Sequence, residues 1–239
     1  MAHIKISPWA GVLLAGFLAA CGGGGGGNAS PPVDSTTVFQ LKTAWDNMAR
    51  DTATRSFSVS GTHTGGALSG TGTLTQGGLF GTVFEGLAAQ QKTTTVLATL
   101  TRTYLGASST MTLQVASSSY YDGNYLPLGS ASSDEYTVVD GSVSIPQTAR
   151  IGDSGTAYSE NRYADSAKSS LLGTTTYSYS LQADTASTAI ARIVGVEKDS
   201  GGATTGTQTL LYRITPAGAA TPTIETIEGS TGVMVFTFD

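Results

Sequence analysis

The chain has 239 residues, of which only 12% are Asp, Glu, Lys or Arg, with 31 glycines, one cysteine and two histidines. Twelve Lys+Arg against 17 Asp+Glu give a formal net charge of −5, a mild acidity that excludes a basic nucleic-acid surface and a polybasic membrane patch. One cysteine excludes an internal disulfide, and with two histidines it excludes the usual zinc and copper ligand sets.

Met1 to Lys5 carry a positive charge, and Trp9 to Ala20 form an uncharged, mostly apolar run. That run is shorter than the roughly 20 residues a bilayer crossing takes. A charged start, a short apolar middle and small residues at the exit describe a secretory signal peptide over residues 1–20. At the exit stands Leu18-Ala19-Ala20-Cys21, which resembles the lipobox of bacterial lipoproteins. The resemblance implies cleavage before Cys21, covalent lipid on its sulfur and new amino terminus, and attachment to a membrane through that lipid. It implies no other cofactor. In that family an aspartate after the cysteine signals inner-membrane retention. Gly22 stands there, so the resemblance implies the outer membrane of a Gram-negative envelope, facing the periplasm or the surface. The mature chain then has 11 Lys+Arg against 17 Asp+Glu, a net charge of −6, and His63 as its one histidine.

Residues 21–35 read as a lipidated flexible tether: six glycines, then polar residues, closed by Pro31-Pro32. A dozen such residues span about 20 Å. A phosphate-cradling loop needs a Gly-Lys-Ser/Thr ending and a preceding strand, and neither is present.

The folded domain is expected over residues 36–239. Val38, Leu41, Trp45 and Met48 recur three or four apart after Asp34-Ser35, either of which can cap, so one N-terminal helix is predicted with Trp45 on its packing face. From Ser56 the period is two, and β-branched and aromatic residues alternate with Ser and Thr. Two strands are predicted within 56–76, a long one at 90–103, then 110–121 turning at Asp122-Gly123 into 124–128. Tyr136 to Val139 and Ser142 to Ile145 read as a hairpin across Asp140-Gly141, whose positive φ angles suit a two-residue loop. Further strands are expected at 156–163, 174–182, 187–198, 207–215 and 222–227. The second set weakly echoes the first, which allows a two-part division near Pro146. The fold class is mainly β: an antiparallel meander sheet, curled or sandwich-like, with one N-terminal α-helix. A membrane-spanning barrel fits poorly, because several strands carry Ser, Thr or Gly on both faces.

Gly152-Asp153-Ser154-Gly155 resembles the nucleophile loop of chymotrypsin-like serine proteases, with His63 and Asp122 in the matching chain order. The likeness stops there. Thr156 stands where the family has another glycine, His63 lies in Thr62-His63-Thr64-Gly65, and Asp-Ser-Gly is ordinary turn material. No catalytic residue is assigned and an enzyme is not expected. The acids Asp122, Asp134, Glu135, Asp140 and Asp153 do not match a calcium-loop spacing, so they read as solvated turn carboxylates and no metal site is assigned. Tyr120, Tyr121 and Tyr125 surround one turn and mark the candidate binding surface for a protein or glycan partner. The expected function is therefore an outer-membrane-anchored lipoprotein with a structural, adhesive or protein- or glycan-binding β domain. The alternative is a carrier of lipid or of a small apolar ligand with a curled-sheet pocket, and a hydrolase ranks below both. An apolar cavity between helix and sheet is the feature that favours the carrier.

Overall fold

The computed structural model describes residues 35–239; the expected signal peptide, the lipobox-like stretch with Cys21 and the expected tether up to residue 34 lie outside the described residues. One helix, α1 (Leu41–Arg50), precedes thirteen strands. These are β1 (Thr54–His63), β2 (Gly66–Gln76), β3 (Phe80–Phe84), β4 (Leu87–Tyr104), β5 (Ala107–Tyr121), β6 (Pro127–Ser132) and β7 (Tyr136–Asp140). There follow β8 (Ser154–Tyr163), β9 (Leu171–Ala183), β10 (Ala189–Asp199), β11 (Thr204–Ile214), β12 (Ala220–Gly229) and β13 (Gly232–Phe238).

All pairings are antiparallel and mostly between chain neighbours. Two pairings close the sheet: β13 returns to β1, with Phe57 opposite Phe238, and β2 pairs directly with the C-terminal part of β4. The result is a closed twelve-stranded antiparallel barrel, a more specific form of the expected curled meander. Strands on both sides of Pro146 belong to this one sheet. The extra strand, β3, forms a short hairpin with the start of β4 and lies outside the ring. Closure leaves the ring no free edge.

The period-two pattern sets the two faces. Inward positions of β1, β2, β4 and β13 carry Phe57, Val59, Leu68, Leu100, Met234 and Phe236, a packed apolar half of the interior. The alternate positions of β1, β2 and β5 are mostly Ser and Thr and are open to solvent. Apolar inside and hydroxyl-bearing outside is the reverse of the lipid-facing band that a membrane-spanning barrel presents.

α1 sits in one mouth of the barrel and is tied to its rim on several sides. Phe39 and Ala149 exchange backbone hydrogen bonds, Asn47 donates to the Gly218 carbonyl, and Lys42 donates to the Asn124 carbonyl. Leu41 and Ala44 bury against Leu181, Ala191 and Ile214 on the inner wall. The helix starts later than the Asp34-Ser35 caps imply. Gln40 stands at its N-cap without a side-chain bond, Val38 is exposed, and Phe39 is spent on the bridge to Ala149.

The expected hairpin across Asp140-Gly141 does not form. β7 pairs with β6 on one side and β8 on the other, with Tyr136 opposite Tyr163, so no edge remains for Ser142 to Ile145. Residues 141–153 instead run across the barrel mouth, where Val143 and Ile145 pack beside Tyr158 and Ala149 bridges to Phe39. Residues 122–126 are likewise a turn, and the strand expected at 124–128 begins only at Pro127.

Candidate functional site

The barrel is too wide for its wall residues to fill, and α1 does not fill what remains. Between α1 and the inner wall lies a cavity of about 70 Å³, several times the roughly 10–15 Å³ that holds one water. Its aromatic side is a stack. Trp45 of α1 meets Tyr158 edge-on at 6.3 Å, and Tyr158 stacks on Tyr177 at 4.5 Å. Gly195 faces Tyr177 across the β9–β10 pair, and a Cβ there would lie 2.6 Å from the ring, so only glycine leaves the ring its place. Ile193, Leu210, Met48 and Tyr212 continue the lining.

Polar groups enter this apolar wall at few points. Lys92, 2% exposed, donates to the Met48 carbonyl at 3.0 Å, and burial lowers its ammonium to about 8. Glu160 accepts from Thr137 Oγ1 at 3.0 Å and from the Tyr177 hydroxyl at 3.1 Å. Burial nevertheless pushes its carboxyl up to about 7. Beside it, Arg162 bridges Glu135 at 2.6 Å and Glu197 at 2.8 Å. Glu197 is also pushed up to about 7 by burial, against the pull of Arg162, and its Oε1 has no partner.

The lumen continues beyond this chamber. A second cavity of about 60 Å³ shares Gln76, Thr94, Leu210 and Tyr212 with the first and adds Gln208 and Glu225. A third, also about 60 Å³, shares Thr94, Ser117 and Glu225 with the second and ends among Phe57, Phe236 and Phe238. Thr94 lines all three, so the spaces lie side by side inside the barrel.

The tyrosines singled out from the sequence are not brought together. Tyr121 points into the lumen, 8% exposed, and burial raises its hydroxyl to about 12. Tyr120 points outward and lies under Phe84 of the β3–β4 hairpin, ring to ring at 4.2 Å. Tyr125 occupies the turn with φ +58°, its ring 4.1 Å from the Arg50 guanidinium. Nor do the protease-like residues meet: Ser154 opens β8 at the mouth that holds α1, whereas His63 closes β1 at the other end. Asp122 accepts the amides of Asn124 and Leu126 and shapes its turn. Among the described residues, no three or more His, Cys, Asp or Glu are placed to hold a metal ion.

Sequence reasoning missed Lys92, Glu160, Arg162, Glu197, Gln208 and Glu225. For Glu160 and Arg162 the reason is a bulge. The register shifts between Thr156 and Tyr158, so Gly155 faces inward and two-residue counting from it puts Glu160 outside. The bulge returns Tyr158, Glu160 and Arg162 to the interior. For Glu197 a signal was present, since it continues the inward series Ala191, Ile193, Gly195.

No protein-family model, curated protein or solved structure matches the chain. The class it defines rests on its own geometry: a closed β-barrel with a helix seated in one mouth and aromatic-lined cavities inside.

Proposed function

We propose that this protein is a lipid-anchored envelope protein that binds and carries a small amphiphilic molecule in the lumen of its barrel. The observation that carries the reading is the cavity between α1, the aromatic stack and the inner wall, with lysine and carboxylate groups at its wall. Ligand sites are typically concave and apolar with a few placed polar groups that fix orientation, and barrel mouths are a favoured setting. The structural or adhesive reading ranked first from the sequence is the one an exposed tyrosine patch would favour. Tyr120 is covered by Phe84 and Tyr121 faces inward, which leaves that reading less support. The anchor rests on the lipobox-like Leu18-Ala19-Ala20-Cys21, with Gly22 favouring the outer membrane.

The test is titration of the purified protein with N-phenyl-1-naphthylamine, a neutral probe that fluoresces in apolar surroundings. Saturable binding of about one probe per chain, lost in Thr94→Phe with far-UV circular dichroism unchanged, is the expected result. Absence of saturable binding, or equal binding by Thr94→Phe, overturns the reading.

A further inference from the structure

Deep in the lumen, Gln208 and Glu225 form a pair of a kind that buried polar groups seldom form alone. Gln208 is 1% exposed; its Nε2 donates to Glu225 Oε1 at 2.5 Å, and its Oε1 has no partner. An unmet buried acceptor costs free energy until a donor reaches it. Glu225 takes part in none of the salt bridges among the described residues. Both side chains line the second cavity, which is about 60 Å³ and shares wall residues with the cavities on either side.

We propose that this pair is the headgroup site for a primary-amine amphiphile, a ligand with an ammonium group and an apolar tail. The inference rests on the carrier reading and names its ligand class. An ammonium brings three donors and no acceptor, so it meets the free Gln208 carbonyl and neutralises Glu225 at once. A hydroxyl brings one donor and no charge. A ligand carboxylate adds like charge to Glu225 in a setting with weak screening.

The other charged groups that face the lumen each have a partner of their own, Glu197 through its Oε2 alone. Arg55 pairs with Asp51 at 2.5 Å and Lys92 caps Met48. Arg162 is held between Glu135 and Glu197, and Glu160 accepts from Thr137 and Tyr177. Apolar groups line the cavities on either side of the amine site: Trp45 and Met48 beneath α1, and Phe57, Phe236 and Phe238 on the other side. Tyr212 and Phe238 also line this cavity.

The experiment is calorimetric titration of the full chain, at about pH 7.5 and below micellar concentrations, with dodecylamine hydrochloride, 1-dodecanol and sodium dodecanoate as probes. Dodecylammonium is expected to bind at least about tenfold tighter than dodecanol, and dodecanoate weakest. Glu225→Gln should weaken the amine about tenfold or more and leave dodecanol unchanged. Gln208→Met, which removes the free acceptor, should weaken the amine as well, and it answers the question if Glu225→Gln fails to fold. Equal affinity for amine and alcohol, or amine binding untouched by both substitutions, overturns the headgroup assignment while the lumen site stands. Binding of none of the three, or binding that survives Thr94→Phe, overturns the carrier reading with it.

Discussion

Lys92 Nζ, on the inner wall of β4, donates at 3.0 Å to the carbonyl of Met48 in the last turn of α1. The last carbonyls of a helix have no partner within it and carry the negative end of its dipole, so a buried ammonium there is both hydrogen-bonded and electrostatically matched. The sequence supplies this bond from residues 44 apart, and it fixes how deeply the helix sits above the cavity.

Lys92→Ala is therefore expected to loosen α1 before it affects the barrel. Removing the donor and leaving a small void should cost about 1–3 kcal/mol. Hydrogen exchange of the α1 amides should speed up about tenfold or more while β9 to β11 keep their protection. Unchanged exchange in α1 would show that the rim contacts alone hold the helix.

The buried acids give stability a definite pH dependence. Glu160 and Glu197 are raised to about 7 and Glu225 to about 6, from an ordinary 4.5. Between those values the folded chain holds more protons than the unfolded one, so this contribution is fully present below about pH 4.5 and is lost as pH rises through 6 and 7. Lys92, lowered from 10.5 to about 8, acts in the opposite sense, and stability recovers as pH rises from about 8 to 10.5. The urea midpoint should thus fall from about pH 5 to 7.5 and be lowest between about 7 and 8. Glu160→Gln should flatten the fall. A midpoint that rises steadily over pH 5–7.5 would contradict these burial assignments.

On the outside, Gly129 of β6 has φ +152°, and a Cβ there would lie 2.1 Å from the Thr137 carbonyl and 2.8 Å from the Phe84 ring. Gly129→Ala should therefore destabilise by about 2–4 kcal/mol, more than a typical surface change. It should also expose Phe84 and Tyr120 and release the β3–β4 hairpin, which is fastened by Tyr136 to Glu85 and by the Lys168–Glu85 ion pair. A thermal midpoint equal to wild type would show that the strand shifts to admit the methyl group.

Much of the strand content was legible because Ser and Thr alternate with apolar residues, as in Phe57 and Val59 against Ser56, Ser58 and Ser60. Closure was not legible: it depends on β13 returning to β1 and on β2 passing over β3 to reach β4, pairings that leave no local pattern. β3 itself, Phe80–Phe84, is five residues with two exposed large hydrophobics, too short for periodicity to register. The lumen was hidden for a different reason. Lys92, Glu160, Arg162, Glu197, Gln208 and Glu225 come from five strands, and the bulge near Ala157 inverts the parity by which Glu160 would have been read. Asp140-Gly141 misled because Gly141 does adopt a positive φ, +77°, but as the start of a crossing segment rather than of a tight hairpin.

The proposed anchor predicts that Cys21→Ser blocks lipid attachment while the barrel folds normally. A single acyl chain holds a protein only marginally at about 0.8 kcal/mol per buried methylene, whereas several chains hold it firmly. In a Gram-negative host, wild type should incorporate radioactive palmitate and fractionate with outer membranes, and Cys21→Ser should do neither. Labelled Cys21→Ser, or unlabelled wild type in the soluble fraction, would remove the anchor from the account.

The claim that the barrel lumen is a ligand site is tested most directly by the indole resonance of Trp45, whose ring edges the chamber beneath α1. From Cys21 onward Trp45 is the single tryptophan, and its ¹⁵N–¹H side-chain signal can be followed during titration with 1-dodecanol. The account predicts a saturable shift of that one signal, absent in Thr94→Phe. A resonance that stays fixed throughout the titration, or that drifts equally in the blocked variant, would contradict it.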